Sequence, residues 1–476
     1  MFHSKKIIMK KIILLIVLLS VSISCTEGFE EINTNKNQPT TSQPKQLLPN
    51  IIFNIANINV SNSYNFGDII AQYGGDYEYN ETDVYNWRAD GRFWGMYKWL
   101  NDIYDIKRQA IASNDKNYEA ISLILETYAM SVITDAYGYV PYSEIAKGEE
   151  GVLKPKYDSQ EEIYTQLLLN LENANAIIQT NTNVEGDVLF SGNMTKWKRF
   201  ANSLHVRLLM RISNKVNVST KLNEIVTNTA KYPLFTSNSD NANYLYSGSF
   251  PNISPMSEGI NRLYGYNIIV PTTNLINLLV ANNDPRLDEW IDPIVGTTNH
   301  LGLQPGLPLD EIDEPSKYSR RAEDYFYDKT KISSIFMTYS ELNFLLAEAR
   351  QRNLIATGTA AGYYNIAVEA SFKQWNVVMP SDYLTATAPY NATTEVLYIQ
   401  KWLALYHTGV EAWFDWKRTG KPSFIQPGPG AKNNGKIPRR IMYPSIEQSV
   451  NMDNNNDAIE KMGGDDINVK VWWDNF

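Results

Sequence analysis

Four carboxylates, Asp76, Glu78, Glu81 and Asp83, alternate with Tyr73, Tyr77, Tyr79, Tyr85 and Trp87 across the stretch Gln72 to Asp90. Two chemistries fit that composition. Paired carboxylates about 5 to 10 Å apart across a sugar would supply the acid and the base or nucleophile of glycoside hydrolysis. The same groups suit recognition without reaction: carboxylates and Asn86 accept hydrogen bonds from sugar hydroxyls while tyrosine and tryptophan faces stack on the C–H surface of the ring. In a chain with 52 acidic residues, nearness in sequence alone favours recognition over catalysis. The residues expected to contact ligand here are Asp76, Tyr77, Tyr79, Tyr85, Asn86 and Trp87. A second ring-rich polar segment, Tyr244 to Asn267, adds Asn261, Arg262, Tyr264 and Tyr266. Arg262 reads equally as a structural ion pair, and any of these tyrosines as core.

Other chemistries have little to work with. Beyond the N-terminal segment the histidines are His205, His300 and His407, each isolated in sequence, and no HExxH, Walker glycine loop or GxSxG occurs. Asp453, Asn455 and Asp457 match the first three ligand spacings of a calcium loop, but Ala458 stands where glycine is needed and Gly464 where the bidentate glutamate belongs. That run reads as an Asn-rich turn, and no metal, cofactor or catalytic residue is expected. A net charge of −9 and a pI near 5.2 leave no basic field to neutralise phosphates, which disfavours nucleic acid as a partner. Tyrosine (30) and tryptophan (11) outnumber phenylalanine (16), which favours rings with a polar tip in water.

The N-terminus carries its own signals. Lys5, Lys6, Lys10 and Lys11 form a charged segment before the apolar run Ile12 to Ile23, too short to span a bilayer but suited to a secretory signal, with Met9 as an alternative start. The run ends in Ser22-Ile23-Ser24-Cys25, and Cys25 is the only cysteine. Small residues before a cysteine resemble the lipobox of bacterial lipoproteins, although leucine is commoner than Ser22 at its position. The expectation is a signal peptide over residues 1–24, lipid attachment at Cys25, and a flexible Thr/Asn/Gln/Pro-rich tether over 25–49. Glu27, Glu30 and Glu31 resemble the surface-export signal of Bacteroidetes lipoproteins; a solvated linker reads equally well.

The remaining chain, 50–476, reads as one largely helical domain. Ile121, Ile124, Leu125, Tyr128 and Val132 follow the spacing of one buried helical face, with polar and small residues on the other side, before Asp135, Gly138 and Pro141 end the helix in an aromatic turn. Leu47 to Asn59, Phe93 to Tyr104, Ile163 to Ile178, Trp197 to Leu208, Leu342 to Ala349, Tyr363 to Trp375 and Glu395 to Tyr406 are further helical runs. Ser159 with Glu162 and Thr338 with Glu341 fit capping boxes. The basic residues of the 197–208 helix and its flanks read as a solvated face paired with carboxylates. Residues 232–335 lose periodicity, as expected of an excursion with short elements of its own. The tail from Pro422 should be largely irregular, with Val471, Trp472 and Trp473 docked on the body. Helices recurring in pairs suggest stacked antiparallel hairpins.

The segments CTEGFEEINTNKNQPT, DAYGYVPYSE, Lys156-Tyr157-Asp158 before a helix, TKWKRFANSLHVRLLMRIS, NDPRLDEW, MTYSELNFLLAEAR, VEAWFDWKRTGKPSF, RRIMYPSIEQSVN and VWWD, in this order, resemble the SusD/RagB family of nutrient-binding outer-membrane lipoproteins. The resemblance implies a mainly α fold, in which tetratricopeptide-like helix pairs form a scaffold covered by long irregular loops. It implies anchoring to the outer membrane through Cys25, a SusC-type TonB-dependent transporter as partner, and capture of oligosaccharides, or in some members peptides, without catalysis. Lys417 stands where the family often has arginine, a change that keeps the charge and should matter little.

Overall fold

The computed structural model describes residues 42–475, so the expected signal peptide, Cys25 and most of the tether lie outside the described residues. Residues 44–476 form one compact unit. The first helix, α1 (Pro44–Asn62), buries Leu48, Ile51, Ile52 and Ile55. Residues 44–49 therefore belong to the folded body and not to the tether. Pro44 opens the helix, where no donor is needed, and buried Leu48 holds the first turns down.

The scaffold is built of α2 (Met96–Ser113), α3 (Lys116–Tyr137), α4 (Gln160–Ile177) and α5 (Met194–Ile212), followed after a long excursion by α6 (Tyr339–Gln351), α7 (Ala360–Gln374), α8 (Val396–Ala404) and α9 (Glu411–Thr419). Each of α1 to α5 packs on the next, skipping none, and α6 packs on α5, α7 and α8. The fold is mainly helical, of the tetratricopeptide-like kind expected. Ser159 and Glu162 form the capping box in full. At Thr338 only half of it forms: the Thr338 hydroxyl accepts from the Glu341 amide, while the Glu341 carboxylate is buried and grips Arg207 instead (Nε–Oε1 2.6 Å).

Helix α3 departs from the one-faced pattern. It is buried nearly all round because α2, α4 and α5 enclose it. Several of its polar residues are satisfied internally: Ser122 and Ser131 bond carbonyls three residues back, and Glu126 accepts from Tyr142 (2.7 Å), Asn170 (3.2 Å) and Lys107 (3.1 Å), while the buried Thr127 hydroxyl has no partner among the described residues. A related correction applies to the basic helix α5. Arg207 and Arg211 are paired with carboxylates as expected, but inside the protein, where Arg207 meets Glu341 and Arg211 meets Asp135 and Glu411. Buried pairs continue through Arg418 with Glu348 and Lys401 with Asp415, so α5, α6, α8 and α9 are locked together by charge.

The tail is also more ordered than its composition suggests. The Asn-rich run expected as a turn lies in a helix, Met452–Met462. Tertiary contacts outweigh weak helix propensity there: Asn454 donates to the Lys154 carbonyl, Asn455 to the Tyr157 hydroxyl, and Ala458 is buried. Trp473 and Val471 dock as expected.

Lys417 does matter. It is 0% exposed, donates to the carbonyls of Asp135 (2.7 Å) and Arg439 (3.0 Å), and sits 4.2 Å from the centroid of Trp413. Burial pushes its ammonium down to about 7, against the pull of Asp474 and Asp135. Arginine would stay charged at any pH; lysine here does not. In the folded state this group binds fewer protons than in the unfolded state between about pH 7 and its model value of 10.5. Folding stability thus rises with pH through that window. The melting temperature of the wild type, measured relative to Lys417→Met, is expected to climb from pH 7 to pH 10. A difference independent of pH would contradict it.

Residues 232–335 form an excursion with short elements of its own. Strands β1 (Gly74–Asp76), β2 (Val140–Pro141), β3 (Tyr157–Asp158), β4 (Ala242–Leu245), β5 (Ile269–Pro271), β6 (Ile291–Asp292), β7 (Arg320–Arg321) and β8 (Ser333–Met337) pair antiparallel as β1–β5, β2–β3, β4–β8 and β6–β7. The first of these ladders positions the candidate site.

Candidate functional site

The β1–β5 ladder pairs Gly74 with Pro271 and Asp76 with Ile269. Antiparallel pairing puts the exit of one strand beside the entry of the other, so Tyr77 begins the first ring-rich loop where Ile268 ends the second. The Tyr77 amide donates to the Ile268 carbonyl (3.4 Å). Segments far apart in sequence thereby form one surface.

Asp76 ties the two together and is itself removed from the surface. It is 1% exposed and accepts from the Tyr264 hydroxyl and from the amides of Glu78 (2.9 Å) and Tyr79 (2.7 Å). Its own amide donates to Asp83 (3.2 Å), which is also buried. Burial pushes both carboxyls above the usual range. The expectation that Asp76 contacts ligand is therefore corrected: its carboxylate and the Tyr264 hydroxyl are spent on each other, anchoring the loops, while Tyr264 itself remains half-buried. The carboxylate constellation is likewise split, with Asp76 and Asp83 inside and Glu78 and Glu81 exposed. Tyr85 is a second correction. It is 4% exposed, with a left-handed backbone (φ 58°), and its hydroxyl accepts from Gln72 (3.5 Å).

The remaining residues fall into two neighbouring groups. Tyr77 and Tyr266 are half-buried and Tyr79 is 58% exposed. Tyr266 meets Tyr327 edge to face at 5.5 Å between centroids, and the Arg320 guanidinium lies 5.8 Å from the Tyr266 ring while donating to Asn267 (3.2 Å). Arg262 stands 4.8 Å over Tyr327, and its Nε has no hydrogen-bond partner among the described residues. Asn261 is half-buried on the short helix Gly259–Leu263. Burial, then Glu323, pushes the Tyr266 phenol up to about 12, so it stays a neutral hydroxyl at ordinary pH. The second group is a cleft of about 190 Å³ in which Asn86 and Trp87 face Arg88, Arg92 and Glu81. Trp87 is half-buried, packed 4.9 Å from Phe66 and 5.9 Å from Trp413, with its indole donating to the Thr82 carbonyl (3.1 Å).

Sequence reading missed Tyr327 and Arg320. The signal was present in YSRRAEDYFY (318–327), the same interleaving of rings and charge, within the excursion from which only Tyr244 to Asn267 was singled out as ring-rich. Arg321, next in line, is a buried strut: its guanidinium bonds Asp68 (3.0 Å), which His407 also meets (2.7 Å). This fixes β7, and with it Arg320, against the body. Among the described residues no cluster of histidine and carboxylate could hold a metal, and no helix is long and apolar enough to cross a membrane.

The helical scaffold carries rings and amides on loops packed over it. A profile of the SusD-like family, described as starch-binding and associating with the outer membrane, matches residues 36–444, and the chain belongs to that family. The fold is similar to that of a SusD homologue from Bacteroides fragilis (TM-score 0.80, 23% identity, 91% of this chain and 100% of that one). It is also similar to a SusD homologue from Bacteroides uniformis (0.77, 26%, 90% and 99%) and to a chitin-binding SusD homologue from Flavobacterium johnsoniae (0.79, 24%, 90% and 98%). No curated protein sequence matches.

Proposed function

We propose that this protein is a cell-surface lipoprotein, anchored through Cys25, that captures an oligosaccharide on the joined ring loops and passes it to a SusC-type TonB-dependent transporter. The observation that supports the reading is the β1–β5 ladder, which joins the two ring loops through their backbones, with Tyr266 between Tyr327 and Arg320 and Arg262 over Tyr327. Neutral phenols offer a stacking face plus one hydroxyl, and the arginines donate in fixed directions, a combination suited to sugar rings and their hydroxyls. The family description and the chitin-binding relative support the ligand class. The buried state of Asp76 and Asp83 favours binding without hydrolysis.

The test is calorimetric titration of oligosaccharides and peptides into the protein. Each ring is worth about 0.5 to 1.5 kcal/mol beyond area burial, so the double variant Tyr77→Ala/Tyr266→Ala is expected to weaken glycan binding by about tenfold or more with the fold intact. Asp83→Asn should leave a bound glycan chemically unchanged over long incubation, as should the wild type. Binding that ignores the ring substitutions removes these loops from the site, and binding of peptides alone overturns the ligand class.

A further inference from the structure

A basic groove of about 520 Å³ opens beside the end of α9, between the loop that follows this helix and the segment 464–470. Lys421, Lys436, Arg439 and Lys470 line it, and no carboxylate is among its lining residues. Its volume lies in the range of small-molecule sites. The sign of the charge is written in the sequence: from Trp416 to Ile446 there are lysines and arginines but not one Asp or Glu, in a chain whose net charge is −9. Hydrogen bonds hold the walls. Asn433 donates to the Asn468 side chain (2.7 Å) and the Arg439 amide to the Ile467 carbonyl (2.6 Å), which ties the loop to the segment.

Two of the four cations are already neutralised. Lys421 pairs with Glu395, which also accepts from the Ser423 amide (2.7 Å), and Arg439 pairs with Asp474 (3.4 Å). The carboxylates of the 464–470 segment are engaged as well, Asp465 with Arg440 (2.7 Å) and Asp466 with the Asn468 amide (2.8 Å). Lys436 and Lys470 are exposed and have no ion-pair partner among the described residues. Two like charges on one concave surface without a counter-charge select an anion. Lysine is a point charge with three rotatable donors, so it accepts a planar carboxylate and a tetrahedral sulfate alike. Ser423 and Gln426, exposed in the same groove, add groups that pair with hydroxyls. A nucleic acid would need more unpaired cations in a row and would meet the negative field of the rest of the chain.

The groove is joined to the ring loops. The Lys432 amide donates to the Val84 carbonyl (2.7 Å), and Gln72 Nε2 donates to the Gln426 carbonyl (2.6 Å). We infer that this groove is a subsite for the anionic substituent, carboxylate or sulfate, of an acidic oligosaccharide whose uncharged part lies on the neighbouring ring loops. The sugar in that statement rests on the function proposed above; the charge rests on Lys436 and Lys470.

The test compares a galacturonic acid tetrasaccharide with its methyl ester, and a sulfated galactan tetrasaccharide with its desulfated form, by calorimetry at ionic strengths of about 0.01 and 0.15 M. The proteins are the wild type, Lys436→Gln/Lys470→Gln, and Lys154→Gln/Lys215→Gln, which removes the same charge from exposed lysines outside the groove. The wild type is expected to bind at least one acidic member about fivefold or more tighter than its neutral form at the lower ionic strength. That preference should shrink at the higher ionic strength, vanish in the groove variant and persist in the other. The pair that shows it identifies the anion. Equal affinity for acidic and neutral members, or a preference that the groove variant keeps or that both variants lose, overturns the subsite and leaves the proposed function standing. If neither acidic member binds while another glycan does, the outcome is the same. If no glycan binds at all, both readings fall. Tetraglutamate bound in place of the acidic sugars overturns the ligand class.

Discussion

Asp135→Ala is expected to cost about 3 to 5 kcal/mol of folding stability, the loss found when one partner of a buried ion pair is removed. The carboxylate accepts from the Tyr164 hydroxyl (2.7 Å) and the Trp473 indole (2.6 Å), and Arg211 Nε lies 3.3 Å away. One side chain at the end of α3 thus holds α4, α5 and the C-terminal tail. Alanine leaves a wholly buried guanidinium facing Glu411 alone and frees the tail's anchoring tryptophan. Gly138 in the same turn has φ 91°, and a Cβ built there meets Met462 Cε at 2.6 Å, so Gly138→Val combines backbone strain with a clash. Urea unfolding should register both losses, and ligand affinity of whatever remains folded should match the wild type. A variant with wild-type stability that loses only ligand would reverse the assignment of this turn to the scaffold.

How far the sequence spoke depended on what kind of signal each part carries. The scaffold was legible because helical spacing and capping residues are local. Ser159 and Glu162 announce their capping box within one turn, and the breakers after α3 mark its end in the chain itself. The environment of each helix was not legible. The same apolar spacing in α3 fits a helix half in water or one enclosed on all sides, and only the packing of α2, α4 and α5 around it decides. Arg207 and Arg211 look like surface charge for the same reason: their partners, Glu341, Glu411 and Asp135, are distant in sequence.

The candidate site follows that division. Composition found the two loops, and the β1–β5 ladder joins their backbones, but composition cannot tell a displayed ring from a strut. Tyr77 and Asp76 are adjacent, yet Asp76 is the buried last residue of β1 and bonds Tyr264, while Tyr77 lies just past the strand and is half-buried. Tyr85 and Trp87 differ by two positions, and a left-handed residue buries the first.

Arg286→Ala should match Asp135→Ala in cost, about 3 to 5 kcal/mol, and should act on a different part of the molecule. Arg286 is 0% exposed and forks onto Asp284 (Nε–Oδ1 2.9 Å, Nη2–Oδ2 2.6 Å), with further bonds to Ser371 (3.0 Å) on α7, Tyr383 (3.1 Å) and Gln400 (3.2 Å) on α8. Burial alone would push the Asp284 carboxyl up, but Arg286 more than offsets it and holds the carboxyl below the usual range. A carboxylate with a depressed folded value gives stability that is complete above its unfolded value and is lost as pH falls through the folded one. Arg286→Ala should therefore blunt the acid end of the stability profile. Lysine cannot replace the fork, so Arg286→Lys should recover little. Removing both partners, in Asp284→Ala/Arg286→Ala, should cost less than the sum of the single changes, because neither charge is then left unpaired. The cluster pins the start of the segment that leads through β6 and β7 to Arg320 and Tyr327. Hydrogen exchange in Arg286→Ala should rise first across residues 284–337, while α2 to α4 keep their protection. Glycan affinity should fall with it, although Arg286 touches no part of the ring surface. Uniform loss of protection across the whole molecule would instead make this cluster one more brace of a single cooperative core.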